Sequence, residues 1–436
     1  MPMTFQQAAD WLFGLQRFGV KLGLEKVTRL LEELGNPHRE FVSCHIAGTN
    51  GKGTAAAAVD AVLRAHGVRC GLYTSPHLVS MRERVRVDGD KVPGEFVAAW
   101  VERHRDYLEA NRVTFFEVVT AMAFDWFRKS GAEAAAVEVG MGGRFDATNV
   151  LNPGASLITS IGLEHTRFLG DTLAEIAAEK GGVAKKGVPL ICGENRVEAF
   201  EAIRSEAVRA GADLRLFDNE VNWKMLAGDG SGSRFSYKSP AAELSEIDVP
   251  LVGRQAVRNV CLGIRAAELT LAALGISVDP AALTNGLSGL CWPGRFQRVT
   301  GPGETELVLD VAHNPPASAK LRENLELVFP DQEVTVVSAM AGDKDFGNFL
   351  EHLLSVAGAF IFPCVDFGTA DTQSGAAEPS RMASALEDLT GGRLAGEICA
   401  GMAEALELAS EYNGPVVVCG SFHTVGAAMA ELGIEP

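Results

Sequence analysis

With 436 residues, 47% of them hydrophobic and 22% charged, the chain is too long and too apolar to stay disordered and can bury a large core. Its 39 basic and 56 acidic side chains leave a formal charge of −17, which excludes general nucleic-acid binding, since that needs a basic face for the phosphates. No apolar run reaches the roughly 18–20 residues that span a bilayer, and the opening MPMTFQQAADWLFGLQRFG lacks the basic, apolar and small-residue order of a signal peptide.

Cys44, Cys70, Cys192, Cys261, Cys291, Cys364, Cys399 and Cys419 form no C-x-x-C pair, and most lie in apolar strand-like runs. The expectation is buried, reduced thiols in a cytoplasmic protein, without zinc or a disulfide framework.

Short apolar, β-branched runs alternate with amphipathic stretches almost throughout, the mark of an α/β fold. FVSCHIA (41–47) reads as a strand, then a glycine loop and the helix TAAAAVDAVLRAHG. CGLYT is a second strand, with RERVRV beyond it as a strand carrying Arg82, Arg84 and Arg86 on one face. That stripe reads equally as local positive potential or as a solvated edge. FEVVTAMAFDWFRKSG and AAAVEVG form a helix and a buried strand; ASLITSI, the helix TLAEIAAEK and VPLIC follow. Near-continuous apolar strands predict a mostly parallel sheet covered on both faces.

Between about 213 and 250 the pattern breaks. RLFDNEVNWKML and SRFSYKS, joined by GDGSGS, predict a small antiparallel insert, read as a flexible surface hairpin. A long helix from GRQAVRNV to about Leu274 precedes a fresh α/β series (ELVLDVAH, EVTVVSAM, AFIFPCV, GEICA, PVVVCGS), which places a domain boundary near Pro293–Phe296.

The strongest local signal is Gly48-Thr49-Asn50-Gly51-Lys52-Gly53-Thr54, between strand and helix. Glycines let backbone amides wrap phosphate oxygens at a helix N-terminus, Lys52 reaches the β/γ-phosphates, and Thr54 offers a hydroxyl to the phosphate end or its magnesium. The loop departs from G-x-x-x-x-G-K-[ST] at Ile46 and by inserting Gly53 after the lysine. GMGGRF (140–145) lacks the third glycine of a dinucleotide fingerprint and is rejected as one.

Glu138 ends a buried strand, where an unpaired carboxylate needs a cation or donors; magnesium or a partner such as Arg144 would serve. His165 follows another strand and reads as structural or as a ligand, while Lys180 by spacing alone reads as a solvated helix residue. Ser75 follows the strand CGLYT. Asp310-Val311-Ala312-His313-Asn314 and Ser421 sit at strand ends of the second series, where open sheets bind ligands. Arg295 lies in the interdomain segment, positioned for a nucleotide or for a linker salt bridge.

Together, AGTNGKGT (47–54), TSPHL (74–78), TFFE (114–117), EVGMGGRFDATN (138–149), TSIGLEHT (159–166), EKGGV (179–183), PGRF (293–296), DVAHNP (310–315), DKD (343–345) and GSFHTV (420–425) resemble the Mur ligase superfamily, specifically its bifunctional dihydrofolate synthase/folylpolyglutamate synthase family. The resemblance covers nearly the whole chain. It implies a P-loop ATPase domain with a mostly parallel sheet (1–294), which also binds the pterin, and a smaller C-terminal Rossmann-like α/β domain (295–436) on the glutamate side. It implies ATP held by Thr49, Asn50, Gly51, Lys52, Gly53, Thr54, Asn259, Arg295 and Asp310, and two magnesium ions held by Ser75, Glu138, His165 and a carbamylated Lys180. Lys52, Lys180 and His165 would be catalytic. Thr114, Phe145, Asp146 and Ala147 match pterin-contacting positions, and His313 and Ser421 match the side receiving ATP or glutamate.

The implied reaction is ATP-dependent joining of L-glutamate to dihydropteroate and to reduced folates, in a monomer with neither nucleic-acid nor membrane partners. EKGGV stands where the family usually shows EKAGI, Glu164 where Asp is common, and Gly14-Leu15-Gln16-Arg17 does not match the pterin-contact sequence.

Overall fold

A computed structural model describes residues 1–15, 23–368 and 375–436 and builds them around three sheets. Gln16 and Arg17 lie outside the described residues. The first sheet contains β1 (Val42–Ala47), β2 (Cys70–Tyr73), β3 (Val85–Val87), β4 (Asp90–Lys91), β5 (Ala134–Glu138), β6 (Ala155–Ile158), β7 (Pro189–Cys192) and β8 (Asp213–Leu216). Their order is β4-β3-β2-β5-β1-β6-β7-β8. From β2 to β8 every pairing is parallel, and only β3 and β4 run antiparallel at one edge.

Both faces are covered, as the unbroken apolar strands require. Cys44, Ile46 and Leu157 face the alanine-rich helix Lys52–Ala65 and the long helix Arg254–Ala273. Ala135 and Val137 face the helices Phe5–Gly14, Gly94–Ala110 and Phe115–Lys129.

The insert forms a second sheet of β9 (Asn222–Asp229), β10 (Gly232–Lys238) and β11 (Glu243–Val249), antiparallel in the order β11-β10-β9. The expected flexible hairpin is corrected here. Phe235, Tyr237, Ile247 and Val249 alternate inward and join the core under the long helix, so a third strand and an apolar face fix the insert in place. RERVRV is also corrected: Met81–Arg84 is a 3₁₀ turn capped by Ser80, and only Val85–Val87 is strand, so the three arginines share no strand face.

The third sheet holds β12 (Gln297–Thr300), β13 (Glu306–Leu309), β14 (Val334–Ser338), β15 (Ala357–Pro363), β16 (Glu397–Cys399) and β17 (Val416–Cys419), in the order β12-β13-β17-β14-β15-β16. All its pairings are parallel except β12 with β13, and apolar clusters cover both faces.

The thiols are free; Cys44, Cys70, Cys192, Cys261, Cys399 and Cys419 are buried, but Cys291 and Cys364 fall in exposed loops. Among the described residues no helix is long and apolar enough to cross a membrane.

Candidate active site

Strand order places the chemistry. In the first sheet the adjacent strands β2, β5, β1 and β6 end together, and their carboxyl ends carry Ser75, Glu138, the phosphate loop and the Thr159–His165 segment. In the third sheet β13, β17 and β14 likewise end side by side, carrying Asp310, Ser421 and the loop with Lys344. This is the edge at which open α/β sheets bind ligands.

The phosphate loop is held from behind. Thr49 N–H donates to Ser160 O at 2.7 Å, and the Thr49 hydroxyl donates to Gly162 O at 3.2 Å. The carbonyl of Asn50 accepts from Thr159 Oγ1 at 2.8 Å and from Ser160 Oγ at 3.2 Å. Gly51, at φ 86°, occupies the left-handed region at the N-cap of Lys52–Ala65, and a Cβ there would lie 2.5 Å from the Asn259 amide. Asn259, on the long helix, is thereby placed against the loop. Lys52 Nζ folds back to donate to the carbonyls of Gly48 (3.0 Å) and Thr49 (3.2 Å). Gly53 lies under the indole of Trp292, and Thr54 is buried.

Glu138 is buried and accepts one hydrogen bond, from Ser75 N–H at 3.1 Å. Burial raises its pKa, and the charges of Lys52, Arg295 and Arg84 oppose the rise. No cation lies within ion-pair distance of it among the described residues; Arg144 pairs instead with Glu179 (3.3 Å) and Glu206 (2.9 Å). A buried carboxylate beside a serine, in a positive field but without an ion-pair partner among the described residues, fits a cation ligand. No group of three or more His, Cys, Asp or Glu side chains among the described residues is arranged to hold a metal. Such a cation would therefore complete its shell with phosphate oxygens and water, as magnesium commonly does.

Lys180 is fully buried, so the solvated-helix reading is corrected. Its Nζ donates to Gly48 O at 2.9 Å and lies 2.5 Å from Glu164 Oε1. Against the penalty of burial, the charges of Lys180, Lys52 and His165 hold the Glu164 carboxyl down at about 2. His165 follows Glu164 in the left-handed region (φ 45°) and faces the charges of Lys344, Lys180 and Lys52.

Across the cleft, Asp310 accepts from Phe296 N–H (2.9 Å) and Ala312 N–H (2.8 Å), fixing the backbone just after Arg295 and just before His313. Arg295 lies over the Phe422 ring at 5.2 Å and feels the charges of Asp310 and Glu138. The imidazole of His313 donates from Nδ1 to Val311 O at 2.9 Å, Nε2 has no hydrogen bond among the described residues, and burial lowers its pKa to about 4. Contacts among the described residues join the walls. The Asn50 and Asn314 amides pair, and Gly426 lies so close to the Leu78 carbonyl that a Cβ would approach it to 2.0 Å.

Other predicted contacts serve as caps. Thr114 forms a capping box with Glu117, donating its amide and hydroxyl to Glu117 Oε2, both at 2.8 Å. Ser421 caps Phe422–Glu431 by accepting from Thr424 N–H at 2.9 Å. Asp146 caps the 3₁₀ turn Ala147–Val150; it and Ala147 are buried, whereas Phe145 is 42% exposed.

Sequence reasoning placed Asn314 at a ligand-binding strand end without its bridge to Asn50, and missed Glu164, Lys344 and Trp292 as neighbours of the phosphate loop and His165. Each adjoins or lies inside a motif (His165, DVAHNP, DKD, PGRF), and that adjacency was the available signal.

The profile of the Mur ligase middle domain matches residues 46–267, and that of the Mur ligase glutamate ligase domain matches residues 294–422. A Haloferax volcanii protein named probable bifunctional folylpolyglutamate synthase/dihydropteroate synthase is 38% identical, and the match covers 98% of this chain but 50% of that protein, so the chain spans half its length. The dihydrofolate synthase/folylpolyglutamate synthase of Escherichia coli K12 is 32% identical over 98% of this chain and 96% of its own. The solved structure of E. coli FolC in complex with DHPP and ADP superposes with a TM-score of 0.83 at 30% identity, covering 99% of this chain and 98% of that one. With that sheet order, that loop and matches running almost end to end, the chain belongs to the Mur ligases, in the dihydrofolate synthase/folylpolyglutamate synthase family.

Proposed function

We propose that this chain is an ATP-dependent amide ligase that joins L-glutamate to 7,8-dihydropteroate and extends reduced folates with further glutamates. The observation carrying the reading is the convergence of the phosphate loop, Ser75, Glu138 and His165 on one sheet edge, opposite Asp310 and His313 on the other. We take residues 1–294 and 295–436 as the two units that form this cleft.

A carboxylate is a poor acyl electrophile because its charge is delocalised and its leaving group would be oxide. In the proposed reaction a substrate carboxylate oxygen attacks the γ-phosphorus of ATP, the bridging P–O bond breaks, and ADP leaves behind an acyl phosphate. The glutamate amine then attacks the acyl carbon; the C–O bond to phosphate breaks and the nitrogen loses its proton. The first step is mostly positioning and charge neutralisation.

The loop amides and Lys52, released from the Gly48 and Thr49 carbonyls, would hold the phosphates. Asn259, Arg295 and Asp310 would complete the nucleotide site from the long helix and the far wall. Magnesium would be held at Ser75, Glu138 and His165, where it supplies neutralisation of phosphoryl charge. Lys180 is read as a carbamate that assists a second ion; burial lowers its pKa, which favours the neutral amine that carbamate formation needs. Phe145 with its loop, and the end of Phe115–Lys129 at Thr114, would receive the pterin. His313, whose Nε2 has no hydrogen bond among the described residues, and the turn at Ser421 would face ATP or glutamate. Meeting of the walls at Asn50–Asn314 would keep water from the acyl phosphate.

The test supplies purified protein with ATP, Mg²⁺ and L-glutamate plus either dihydropteroate or a reduced folate, and quantifies ADP and conjugate. Conjugate matching ADP with both acceptors is expected. ADP release independent of any pterin would overturn the ligase reading, and conjugation of the folate alone would reduce it to a folylpolyglutamate synthase.

A further inference from the structure

Beneath the phosphate loop, β1 carries a polar side chain that the reaction does not use. His45 is fully buried three residues before Gly48, on the face opposite Cys44 and Ile46, between Val137 of β5 and Ser156 of β6. Its Nε2 lies 2.8 Å from Thr148 Oγ1. The Thr148 hydroxyl lies 2.5 Å from Asp146 Oδ1, and the Thr148 amide reaches the same oxygen at 3.0 Å. Asp146 Oδ2 accepts from Met141 N–H at 2.9 Å.

These partners set the direction of the chain. A carboxylate only accepts, so the Thr148 hydroxyl donates to Asp146 and must accept from His45. His45 is therefore the Nε2–H tautomer, and its Nδ1, buried, has no hydrogen-bond partner among the described residues. An apolar β-branched residue would fill a strand interior here without that desolvation penalty. The imidazole earns its place only through the bond to Thr148.

We propose that His45 is a positioning residue: through Thr148 it braces the Asp146 carboxylate, which gathers the Met141 and Thr148 amides and so shapes loop 140–148 for the pterin. The pterin part rests on the function proposed above. The loop's one strongly exposed side chain is Phe145, while Asp146 and Ala147 are buried, so the brace holds the backbone from which Phe145 projects. It also ties that loop to the strand bearing the phosphate loop.

Thr148→Val removes the hydroxyl at nearly constant shape, Thr148→Ser restores it, and His45→Gln keeps an N–H donor that His45→Val lacks. Dihydropteroate and Mg-ADP are titrated separately onto each full-length variant, with melting temperatures recorded. Thr148→Val and His45→Val should weaken dihydropteroate about tenfold and leave ADP within about twofold, with Thr148→Ser and His45→Gln recovering most of the loss. Unchanged dihydropteroate binding in Thr148→Val, or parallel loss of both ligands, would overturn the proposal. So would His45→Gln as weak as His45→Val at equal melting temperature. If the wild-type protein binds ADP but no dihydropteroate, the pterin reading fails, and the brace is judged by amide hydrogen exchange. Thr148→Val should then speed exchange at Met141 and Thr148, and unchanged rates would refute the positioning role.

Discussion

The side-chain amides of Asn50 and Asn314 hold each other through two hydrogen bonds, 3.3 and 3.2 Å long, joining the phosphate loop to the opposite wall of the cleft. Asn314 has a second duty, since its Oδ1 caps the helix Pro315–Val328 by accepting from Ala317 N–H at 3.0 Å. Asn314→Ser retains a cap and loses the bridge, whereas Asn314→Ala loses both. Asn314→Ser should melt close to wild type yet lower turnover about tenfold, the scale of two neutral hydrogen bonds. Asn314→Ala should lose a further ~1 kcal/mol of stability. Steady-state kinetics and thermal unfolding of the two variants check this.

Gly51 is the loop's least replaceable residue. Gly51→Ala meets both the left-handed backbone and the Asn259 amide, so it should destabilise the protein by about 1–3 kcal/mol and cut ADP affinity at least ~10-fold. Adding Asn259→Ala removes the colliding atoms and leaves the backbone strain. The double variant should thus regain only part of the stability, as measured by denaturant unfolding and calorimetric titration.

Lys180 and Glu164 act as a pair. Lys180→Ala should abolish turnover, and excess bicarbonate should not restore it; retained activity would show the carbamate assignment to be wrong. In the uncarbamylated protein, where Lys180 is an ammonium, Glu164→Gln leaves the buried lysine without its counter-charge and should destabilise the protein by about 2–4 kcal/mol. The folded-state carboxyl titrates near 2, below its unfolded value, so its contribution is present above the ordinary carboxylate range and fades as pH falls towards 2. The stability gap between wild type and Glu164→Gln should narrow over that interval.

His45 has the opposite acid signature from a surface histidine. Burial holds its pKa at about 3, well below the ordinary histidine range. Below the unfolded value the unfolded chain binds a proton that the folded chain does not, so stability falls as pH drops through that value. Between pH 7 and pH 5, wild type should lose about 2 kcal/mol more than His45→Gln. Chemical denaturation at the two pH values measures the difference.

Much of the architecture was legible because its signals are local. Apolar runs such as VVVC and ASLI mark strands buried on both faces, and GTNGKGT between strand and helix marks a phosphate loop whatever surrounds it. The insert misled because GDGSGS advertises a turn, while the burial of Phe235 and Tyr237 depends on a third strand and a distant helix. Lys180 misled for the same reason. Helical spacing cannot reveal that its face meets the Gly48 carbonyl and Glu164, and only the family motif pointed inward. Thr114 and Ser421 carried the right motifs, yet their hydroxyls are engaged in helix caps, a duty that spacing also allows. His45 gave no signal, since a histidine in an apolar strand acquires meaning only from Thr148, about a hundred residues away in sequence.

Activation of the acceptor as an acyl phosphate leaves an isotopic trace. Dihydropteroate carrying ¹⁸O in its carboxylate would be turned over with ATP, Mg²⁺ and L-glutamate, and the released phosphate analysed by mass spectrometry. Attack of that carboxylate on the γ-phosphorus, followed by C–O cleavage, predicts one ¹⁸O in each phosphate and one retained in the amide. Phosphate free of the label, formed together with the conjugate, would contradict the mechanism.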